Sequence, residues 1–296
     1  MGRDVAAAFP AARAVFDQVD ATLGTPLSRV CFEGPADELT LTDNAQPALF
    51  THGAAVWAAT REHLGARVRA AAGHSLGEHT AYYAAGALTL EAGARLVRRR
   101  GQLMRQAGDE RPGAMAAILG ELTTSIDALC ARASSEAGEV VPANYNAAEQ
   151  TVVSGEVAGV ERLMVLAKEH GAKRAVRLPV SGAFHSPLMR PSEPGLRAAL
   201  DAAGFTDPRV PIYSNVDAQP SRSAASARDA LLRQLTAPVR WLDVVRRLAE
   251  THPQALFVEM GPGAVLTGLT KRIAPGVATA TCGTAAEVEA LLARMT

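Results

Sequence analysis

Apolar residues at three- and four-residue spacing dominate the first third of the chain, and this spacing is the pattern of amphipathic helices. One helix is predicted from residue 5 to about residue 23, with the pair Phe9-Pro10 inside it. Further helices are predicted over residues 47–64, 80–87 and 91–107. The abundance of alanine favours a helix-rich protein with a core of small and branched aliphatic side chains.

Short strands alternate with helices in the middle of the chain. Their order, strand-helix-strand-strand-helix-strand, is the ferredoxin-like arrangement. The strands are predicted over residues 114–119, 140–144, 150–154 and 174–178, and the helices over residues 124–134 and 156–170.

Strand-like apolar runs also occur on either side of this middle segment, at residues 68–72, 210–215 and 255–259. The pattern therefore predicts the α/β fold class with a split large domain. We expect a large α/β-hydrolase-like domain with a parallel sheet, made of residues 1–110 and 180–296. A smaller ferredoxin-like domain, residues 111–179, is expected to be inserted into it.

Charge and composition narrow the function. The 296 residues carry 30 Lys+Arg and 30 Asp+Glu, so no net positive charge attracts nucleic acid or an anionic membrane. The three cysteines are far apart and in no CxxC spacing, which argues against a disulfide framework or a zinc site. No apolar run reaches the roughly 18 residues that span a bilayer, and no secretory signal pattern opens the chain. We expect a soluble cytoplasmic protein without a metal.

The segment Gly73-His74-Ser75-Leu76-Gly77 matches the G-x-S-x-G nucleophile elbow between a predicted strand and a predicted helix. Small residues on both sides let the backbone turn sharply, so that the serine hydroxyl projects from the sheet. Free amides at the start of the helix would lie where an oxyanion develops. The alternative is a chance Gly-Ser-Gly turn in which Ser75 only caps the helix.

A serine nucleophile needs a base, and the chain has seven histidines. His185 is the favoured one, because it lies in a loop between a predicted strand and a helix that begins with proline. His74 flanks the serine but points away from it, and His79 is one helical turn further on. His63 and His170 lie near helix ends, which is consistent with capping. Spacing alone leaves the choice among them open.

Arg100 falls in the middle of the apolar stripe of its predicted helix. A buried guanidinium needs a partner, because an unpaired buried charge costs several kcal/mol. That partner is a carboxylate of the protein or of the substrate, and the sequence leaves both open. The neighbours Arg95, Arg98, Arg99 and Arg105 fall outside the stripe and are interpreted as a solvated basic face. For Arg95, Arg98 and Arg99, contact with an acidic carrier is the second interpretation.

The chain resembles the malonyl-CoA:acyl carrier protein transacylases, within the acyltransferase family of fatty acid and polyketide synthesis. The resemblance covers essentially the whole chain. It is carried by TDNAQPAL at 42–49, GHSLGE at 73–78, RG at 100–101, GAMAA at 113–117, NYN at 144–146, SGAFHSP at 181–187, RQL at 233–235 and VEMGPGAVLTGL at 258–269.

The resemblance implies a ping-pong transfer of a malonyl group from malonyl-CoA to the phosphopantetheine thiol of acyl carrier protein, for fatty acid biosynthesis. Ser75 would carry the malonyl ester and His185 would move the protons. The backbone carbonyl of Gln234 would orient the histidine, and the amide of Leu76 would donate to the oxyanion. Arg100 would hold the malonyl carboxylate.

The resemblance also implies the substrate contacts. Phe184 before the histidine, together with Leu76, matches the malonyl-selecting pattern, in which a ring crowds the α carbon. Rejecting one methyl group is worth only about 1–3 kcal/mol, so this predicts a preference. Gln46 and Asn146 are expected at the substrate as well. The family further implies no bound cofactor, an acyl carrier protein and a coenzyme A thioester as partners, and a monomer.

The start of the chain departs from the family pattern. Family members begin with a strand and a Pro-Gly-Gln-Gly-Ser-Gln turn before the helix that starts here at Gly2. In relatives a glutamine of that turn gives the second oxyanion donor. We therefore expect Met1 to be an internal methionine, with the natural start upstream.

Four alternatives remain. The first is an acyltransferase domain, or a discrete acyltransferase, of a polyketide synthase. The second is a serine esterase with Asp109 or Asp127 as the acid of a triad. The third is an inactive remnant, and the fourth is a module that only binds the carrier protein. An inward arginine argues against an esterase for neutral esters.

Overall fold

The computed structural model describes residues 1–180 and 182–295, so Ser181 of the SGAFHSP motif lies outside the described residues. The helices are α1 (Arg3–Ala8), α2 (Pro10–Leu23), α3 (Leu27–Glu33), α4 (Ala36–Thr40), α5 (Thr42–Leu64), α6 (Leu76–Ala84), α7 (Leu90–Glu110), α8 (Ile126–Ala137), α9 (Val157–Glu169), α10 (Glu193–Ala202), α11 (Ala224–Arg233), α12 (Trp241–Thr251), α13 (Val265–Ile273) and α14 (Ala285–Ala293). The strands are β1 (Ala71–Ala72), β2 (Ala114–Leu119), β3 (Val140–Ala147), β4 (Gln150–Gly155), β5 (Arg174–Arg177), β6 (Ile212–Tyr213), β7 (Pro220–Ser221), β8 (Leu256–Met260) and β9 (Ala278–Cys282).

The first predicted helix is two helices, α1 and α2, so the prediction of one continuous helix is wrong. Phe9 between them is extended, with φ −123° and ψ 110°, and Pro10 is the first residue of α2. A proline disfavours helical dihedrals in the residue before it, and it is well suited to the first position of a helix. The Phe9-Pro10 pair therefore breaks the helix at the point where the periodicity alone continues it.

Helix α5 begins at Thr42, earlier than predicted, and contains Pro47. Proline has no amide hydrogen, so it leaves the carbonyl of Asp43 without its helical donor. Arg98 of α7 donates to that carbonyl at 2.6 Å and to the side chain of Asn44 at 2.7 Å. Arg105 pairs with the Asp43 carboxylate at 3.0 Å. These two arginines tie α7 to α5. Arg98 is half-buried, so its interpretation as part of a plain solvated face is wrong, whereas Arg105 is exposed as that interpretation expects.

Two small sheets lie in the part of the chain where one parallel sheet was predicted. Strands β1 and β6 pair in parallel, but β7 is antiparallel to β6, because the chain reverses directly after β6 and Ser214 donates to the carbonyl of Gln219 at 3.0 Å. Strands β8 and β9 form a separate parallel pair. The strand predicted at 68–72 is shorter, since only Ala71 and Ala72 pair with β6.

The middle of the chain forms an antiparallel sheet in the order β3-β4-β2-β5. Helices α8 and α9 pack on it around buried aliphatic side chains such as Ile118, Leu129 and Leu163. A parallel bridge joins Asn144 of β3 to Val239, which precedes α12. The end of β3 lies next to the residue that precedes Ser75, because Asn146 accepts a hydrogen bond from His74.

In the ranges that the structure describes, no helix combines the length and the apolar character needed to cross a membrane.

Candidate active site

The backbone turns sharply at Ser75, between β1 and α6. Ser75 has φ 50° and ψ −104°, a conformation that is costly for a residue with a side chain. Gly73 makes the turn possible, because a Cβ atom there would lie 1.9 Å from the carbonyl carbon of Gly77. Leu76 is the first residue of α6, so its amide has no acceptor within the helix and faces the same end as the Ser75 hydroxyl.

Ser75 and His185 form a hydrogen-bonded pair, with Oγ 2.8 Å from Nε2. The other ring nitrogen, Nδ1, lies 2.9 Å from the backbone carbonyl of Gln234. A carbonyl can only accept, so Nδ1 carries the proton and Nε2 is free to accept from the serine. Burial, followed by the positive charge of Arg100, lowers the pKa of His185 to about 3. The ring is therefore a neutral base at ordinary pH.

Arg100 lies next to this pair, and its side chain is buried, with 2% of the residue exposed. It donates to Gln46 Oε1 at 2.7 Å, to Gln234 Oε1 at 3.0 Å and to Ser75 Oγ at 3.1 Å. All three partners are neutral, and its Nε atom has no hydrogen-bond partner in the described part of the chain. Burial lowers the pKa of Arg100 to about 10, so the charge remains.

A buried cation whose hydrogen-bond partners are all neutral is a candidate binding site for an anion, because an uncompensated buried charge is costly. Arginine presents a planar fork that matches a carboxylate, and this one ends beside a serine hydroxyl. No carboxylate within the described ranges forms an ion pair with Arg100. Of the two partners that the sequence left open, the geometry therefore favours a carboxylate of the substrate.

Two further predicted substrate contacts, Gln46 and Phe184, lie next to residues of the site, since Gln46 accepts a hydrogen bond from Arg100 and Phe184 directly precedes His185. Gln46 lies on α5, and its side-chain amide reaches Met104 Sδ at 3.3 Å. The ring of Phe184 lies over Gly182, where a Cβ atom would be 2.7 Å from its edge. It also packs beside Met115 and other buried residues of the middle sheet.

Asn146 lies at an irregular end of β3 and does not contact Ser75 in any hydrogen bond of the described residues. Its Oδ1 accepts from His74 Nε2 at 2.8 Å. His74 therefore points away from the serine, as expected, and towards the middle sheet. Burial lowers the pKa of His74, so this histidine is also neutral.

The other candidate bases and acids lie elsewhere. His79 is buried in α6. His170 is the C-cap residue of α9, and its Nδ1 lies 3.1 Å from Thr123 Oγ1. Asp127 accepts from the Tyr145 hydroxyl at 2.8 Å, and Asp109 is at the surface. Since Gln234 occupies the Nδ1 side of His185, neither aspartate completes a triad, and that part of the esterase alternative is wrong.

Two residues of the site were not predicted, Asn215 and Glu78. Asn215 Oδ1 accepts from the Ser75 amide at 2.7 Å, and its Nδ2 donates to the Gly73 carbonyl at 2.8 Å. Glu78 Oε2 accepts from the backbone N–H of Asn215 at 3.1 Å and from Gln234 Nε2 at 2.7 Å. The signal for Asn215 is its position just after β6, because neighbouring parallel strands end at the same edge of a sheet.

Within the described ranges, no group of three or more His, Cys, Asp or Glu side chains could hold a metal ion. The chemistry available here is that of a strained serine, a neutral histidine and an arginine.

A serine-histidine pair at a strand-to-helix turn, with an inward cation, defines a serine acyl-transfer class of enzyme. The sequence model of the acyl transferase domain family matches residues 1–292, and the chain belongs to this family. Within it, the chain is similar to malonyl CoA-acyl carrier protein transacylase of Bacillus subtilis (strain 168). The two are 44% identical over 273 residues, which are 92% of this chain and 86% of the relative.

Solved structures agree with this placement. The crystal structure of acyl-carrier-protein-S-malonyltransferase from Bartonella henselae superimposes with a TM-score of 0.93 at 41% identity, over 100% of this chain and 94% of that one. A second structure is a type II PKS acyl-carrier protein in complex with its malonyl-transacylase. It has a TM-score of 0.94 and 38% identity, and the match covers 99% of this chain and 94% of that chain.

Proposed function

We propose that this enzyme transfers a malonyl group from malonyl-CoA to the phosphopantetheine thiol of acyl carrier protein, for fatty acid biosynthesis. The observation that carries the proposal is Arg100, a buried cation with three neutral partners, one of which is the nucleophile itself. An acyl group that ends in a carboxylate satisfies this cation and places its thioester at Ser75. The names of the relatives support the same reaction.

In the first half-reaction, Ser75 Oγ attacks the thioester carbonyl while His185 Nε2 takes the hydroxyl proton. The Leu76 amide stabilises the oxyanion at the start of α6. The carbon-sulfur bond then breaks, the sulfur of coenzyme A takes the proton from His185, and a malonyl ester remains on Ser75. The Gln234 carbonyl holds the ring throughout, so the base needs no carboxylate behind it.

The second half-reaction runs these steps with a different thiol. The phosphopantetheine thiol gives its proton to His185, and its sulfur attacks the ester carbonyl. The bond to Ser75 Oγ breaks, and Oγ regains the proton from His185. Because the same serine and histidine serve both directions, the net direction depends on the relative concentrations of the two thiols and their thioesters.

Arg100 and Gln46 bind the malonyl carboxylate in this proposal, and Phe184 limits the space at the α carbon. A crowding ring disfavours a branched acyl group by about 1–3 kcal/mol, which gives a preference for malonyl over methylmalonyl. Asn146, held by His74, lies on the side of the middle sheet, where the remainder of the thioester substrate would pass.

The acyl carrier protein is the proposed macromolecular partner, and a carrier of polyketide synthesis is the second candidate. The structural relative bound to a type II PKS carrier supports testing both. We further propose a cytoplasmic monomer without bound cofactor, nucleic acid or membrane. Support comes from a site built from one chain, from the formal net charge of zero and from three free cysteines.

We also propose the division into a large α/β-hydrolase-like domain, residues 1–110 and 180–296, and a ferredoxin-like domain, residues 111–179. The strand order β3-β4-β2-β5 supports it, because the ferredoxin-like arrangement has this antiparallel order with two helices on one face. The separate group of buried residues beneath α8 and α9 gives further support.

Incubation with malonyl-CoA labelled in the malonyl group tests the function. We expect label to remain on the wild-type chain after denaturation, to be absent from Ser75→Ala, and to move to added phosphopantetheinylated carrier protein. A chain that binds the carrier but takes no label would be a binding module. Label released as free malonate faster than it reaches the carrier would indicate a hydrolase.

A further inference from the structure

Glu78 is a fully buried acid in the first turn of α6 that the proposed reaction does not use, with 0% of the residue exposed. Its Oε2 atom accepts two hydrogen bonds, and its Oε1 atom has no partner among the described residues. No described Lys or Arg pairs with it at ion-pair distance. A carboxylate is costly to bury in this way, so its position calls for a reason.

Both donors to Glu78 are residues that hold the serine and the histidine. The backbone carbonyl of Gln234 accepts a hydrogen bond from His185 Nδ1. Its side-chain Nε2 also donates to the Ser75 carbonyl at 3.1 Å. The Asn215 side chain hydrogen-bonds to the turn on both sides, accepting from the Ser75 backbone amide and donating to the Gly73 carbonyl. One oxygen of Glu78 therefore joins three chain segments that meet at Ser75.

The side-chain amide of Gln234 also has to face the right way. Arg100 can only donate, so it requires the Oε1 end of the amide, at 3.0 Å. Glu78 Oε2 is an acceptor in the ionised form and also in the acid form that carries its proton on the unpartnered Oε1, so it requires the Nε2 end, at 2.7 Å. Between them, the cation and the carboxylate fix the amide from both ends and leave one orientation.

We propose that Glu78 is a positioning residue, whose Oε2 atom holds Gln234 and Asn215 so that His185 and Ser75 stay in reacting geometry. This inference rests on the proposed function, because it takes Ser75 and His185 as the nucleophile and the base. It assigns Glu78 no contact with substrate. Glu78 positions these residues because its Oε2 atom accepts their hydrogen bonds, and not because the side chain is negatively charged.

Labelling of Ser75 by a small fluorophosphonate tests the proposal, because this probe needs the serine and histidine but has no carboxylate for Arg100. Glu78→Leu removes the acceptor, Glu78→Gln keeps a neutral acceptor of the same length, and Glu78→Asp keeps the charge but withdraws it from Gln234. The matched control is Tyr82→Phe, one turn further along α6, which removes a buried hydroxyl that makes no hydrogen bond to Glu78, Gln234 or Asn215 in the described residues.

We expect Glu78→Leu and Glu78→Asp to slow labelling by about 10²-fold, since a misplacement on the order of 1 Å has that effect on catalysis. Glu78→Gln should fall by no more than about tenfold, because a neutral hydrogen bond is roughly half as strong as a charged one. Tyr82→Phe should match wild type. In malonyl transfer the same losses should appear in kcat, with KM for malonyl-CoA little changed.

The comparison of Glu78→Gln with Glu78→Asp decides the question even if Glu78→Leu does not fold. Positioning by the acceptor makes the glutamine variant the faster one, whereas a requirement for negative charge makes the aspartate variant the faster one and overturns the proposal. Equal labelling of wild type and a folded Glu78→Leu overturns it as well. Failure of malonyl transfer in wild type would refute the proposed function, but it leaves the fluorophosphonate comparison intact.

Discussion

The guanidinium of Arg100 donates to the hydroxyl oxygen of Ser75 at 3.1 Å. Because this oxygen accepts from the arginine, its own proton is free to point to His185 Nε2, 2.8 Å away. The nucleophile thus lies between a fixed positive charge and a neutral base. The same cation binds the carboxylate in the proposed reaction, so recognition of the acyl group and activation of the serine share one side chain.

Removing the cation should separate malonyl from acetyl transfer. In Arg100→Ala we expect kcat/KM for malonyl transfer to fall by about 10²–10⁴, since two hydrogen bonds to a charged group contribute about 3–6 kcal/mol together. Acylation of Ser75 by acetyl-CoA should persist, because that acyl group has no carboxylate. Steady-state transfer and acyl-enzyme labelling measure the two.

Arg99→Ala is the matched control for this experiment, because Arg99 is the preceding residue on α7 and is exposed. It should transfer malonyl at the wild-type rate. Unchanged malonyl transfer in Arg100→Ala would remove the carboxylate-binding role, and equal losses of malonyl and acetyl transfer would make Arg100 a structural residue only.

The positive charge of Arg100 should also contribute to the acid limb of the pH profile for Ser75 labelling, beside the larger effect of burial. The pKa of His185 is lowered to about 3 by burial and by this charge, so the base stays neutral down to low pH. In Arg100→Met the charge is gone, and the pKa of His185 should rise towards its ordinary value. The pH at which fluorophosphonate labelling of Ser75 falls to half should therefore move upwards.

This measurement is best made below pH 6, where Glu78 does not interfere. Burial is the main cause that raises the pKa of Glu78 to about 7, so this acid is mostly protonated below pH 6 in wild type. Arg100 acts to lower that pKa, so its removal makes Glu78 still more protonated in the variant. An identical acid limb in the two proteins would show that Arg100 does not act on the histidine electrostatically.

The local parts of the site could be predicted from the sequence. Ser75 follows from a five-residue pattern between a strand and a helix, and the burial of Arg100 follows from its place on the apolar stripe of α7. Both are properties of a short segment, since periodicity and turn chemistry operate over a few residues. The roles of Gln234 and Phe184 came from the resemblance to a family.

The long-range parts could not be predicted in the same way. Glu78 and Asn215 are 137 residues apart in the chain, and only the pairing of β1 with β6 brings them together. That pairing involves two residues on each strand, too few for a clear alternating pattern. The break at Phe9 was missed because helical periodicity continues on both sides of it, and only the proline that follows marks it.

The two glycines of the G-x-S-x-G motif should respond differently to alanine. A Cβ atom at Gly73 would lie 1.9 Å from the Gly77 carbonyl carbon, and backbone cannot move aside without opening the turn. At Gly77 the added Cβ would meet no atom within 4 Å. We expect Gly73→Ala to abolish fluorophosphonate labelling of Ser75 and to lower the free energy of unfolding by about 3 kcal/mol or more.

Gly77→Ala should label normally and unfold at or slightly above the wild-type midpoint, because alanine is favoured over glycine within a helix by about 1 kcal/mol. Urea unfolding and labelling rates of the two variants test this. Equal behaviour of both glycines would contradict the geometry of the turn described here.

The buried acid should make stability depend on pH in a direction opposite to that of most carboxylates. Burial raises the pKa of Glu78 to about 7, above its ordinary value of 4.5. Its proton therefore stabilises the folded state fully below pH 4.5, and this contribution is lost as the pH rises towards 7. Glu78→Gln does not titrate. The free energy of unfolding of Glu78→Gln, relative to wild type, should thus increase by up to about 3 kcal/mol between pH 4 and pH 8.

Urea unfolding of both proteins across this pH range measures the difference, and groups that titrate equally in both cancel from it. Tyr82→Phe is the control, because burial raises the pKa of the Tyr82 hydroxyl and keeps it neutral throughout, so its difference from wild type should be constant. A constant difference for Glu78→Gln as well would mean that Glu78 has the same pKa in the folded and unfolded states, so that folding does not change its proton binding. In that case the cost of burying the carboxylate would be offset by its two donors and by Arg100 behind Gln234.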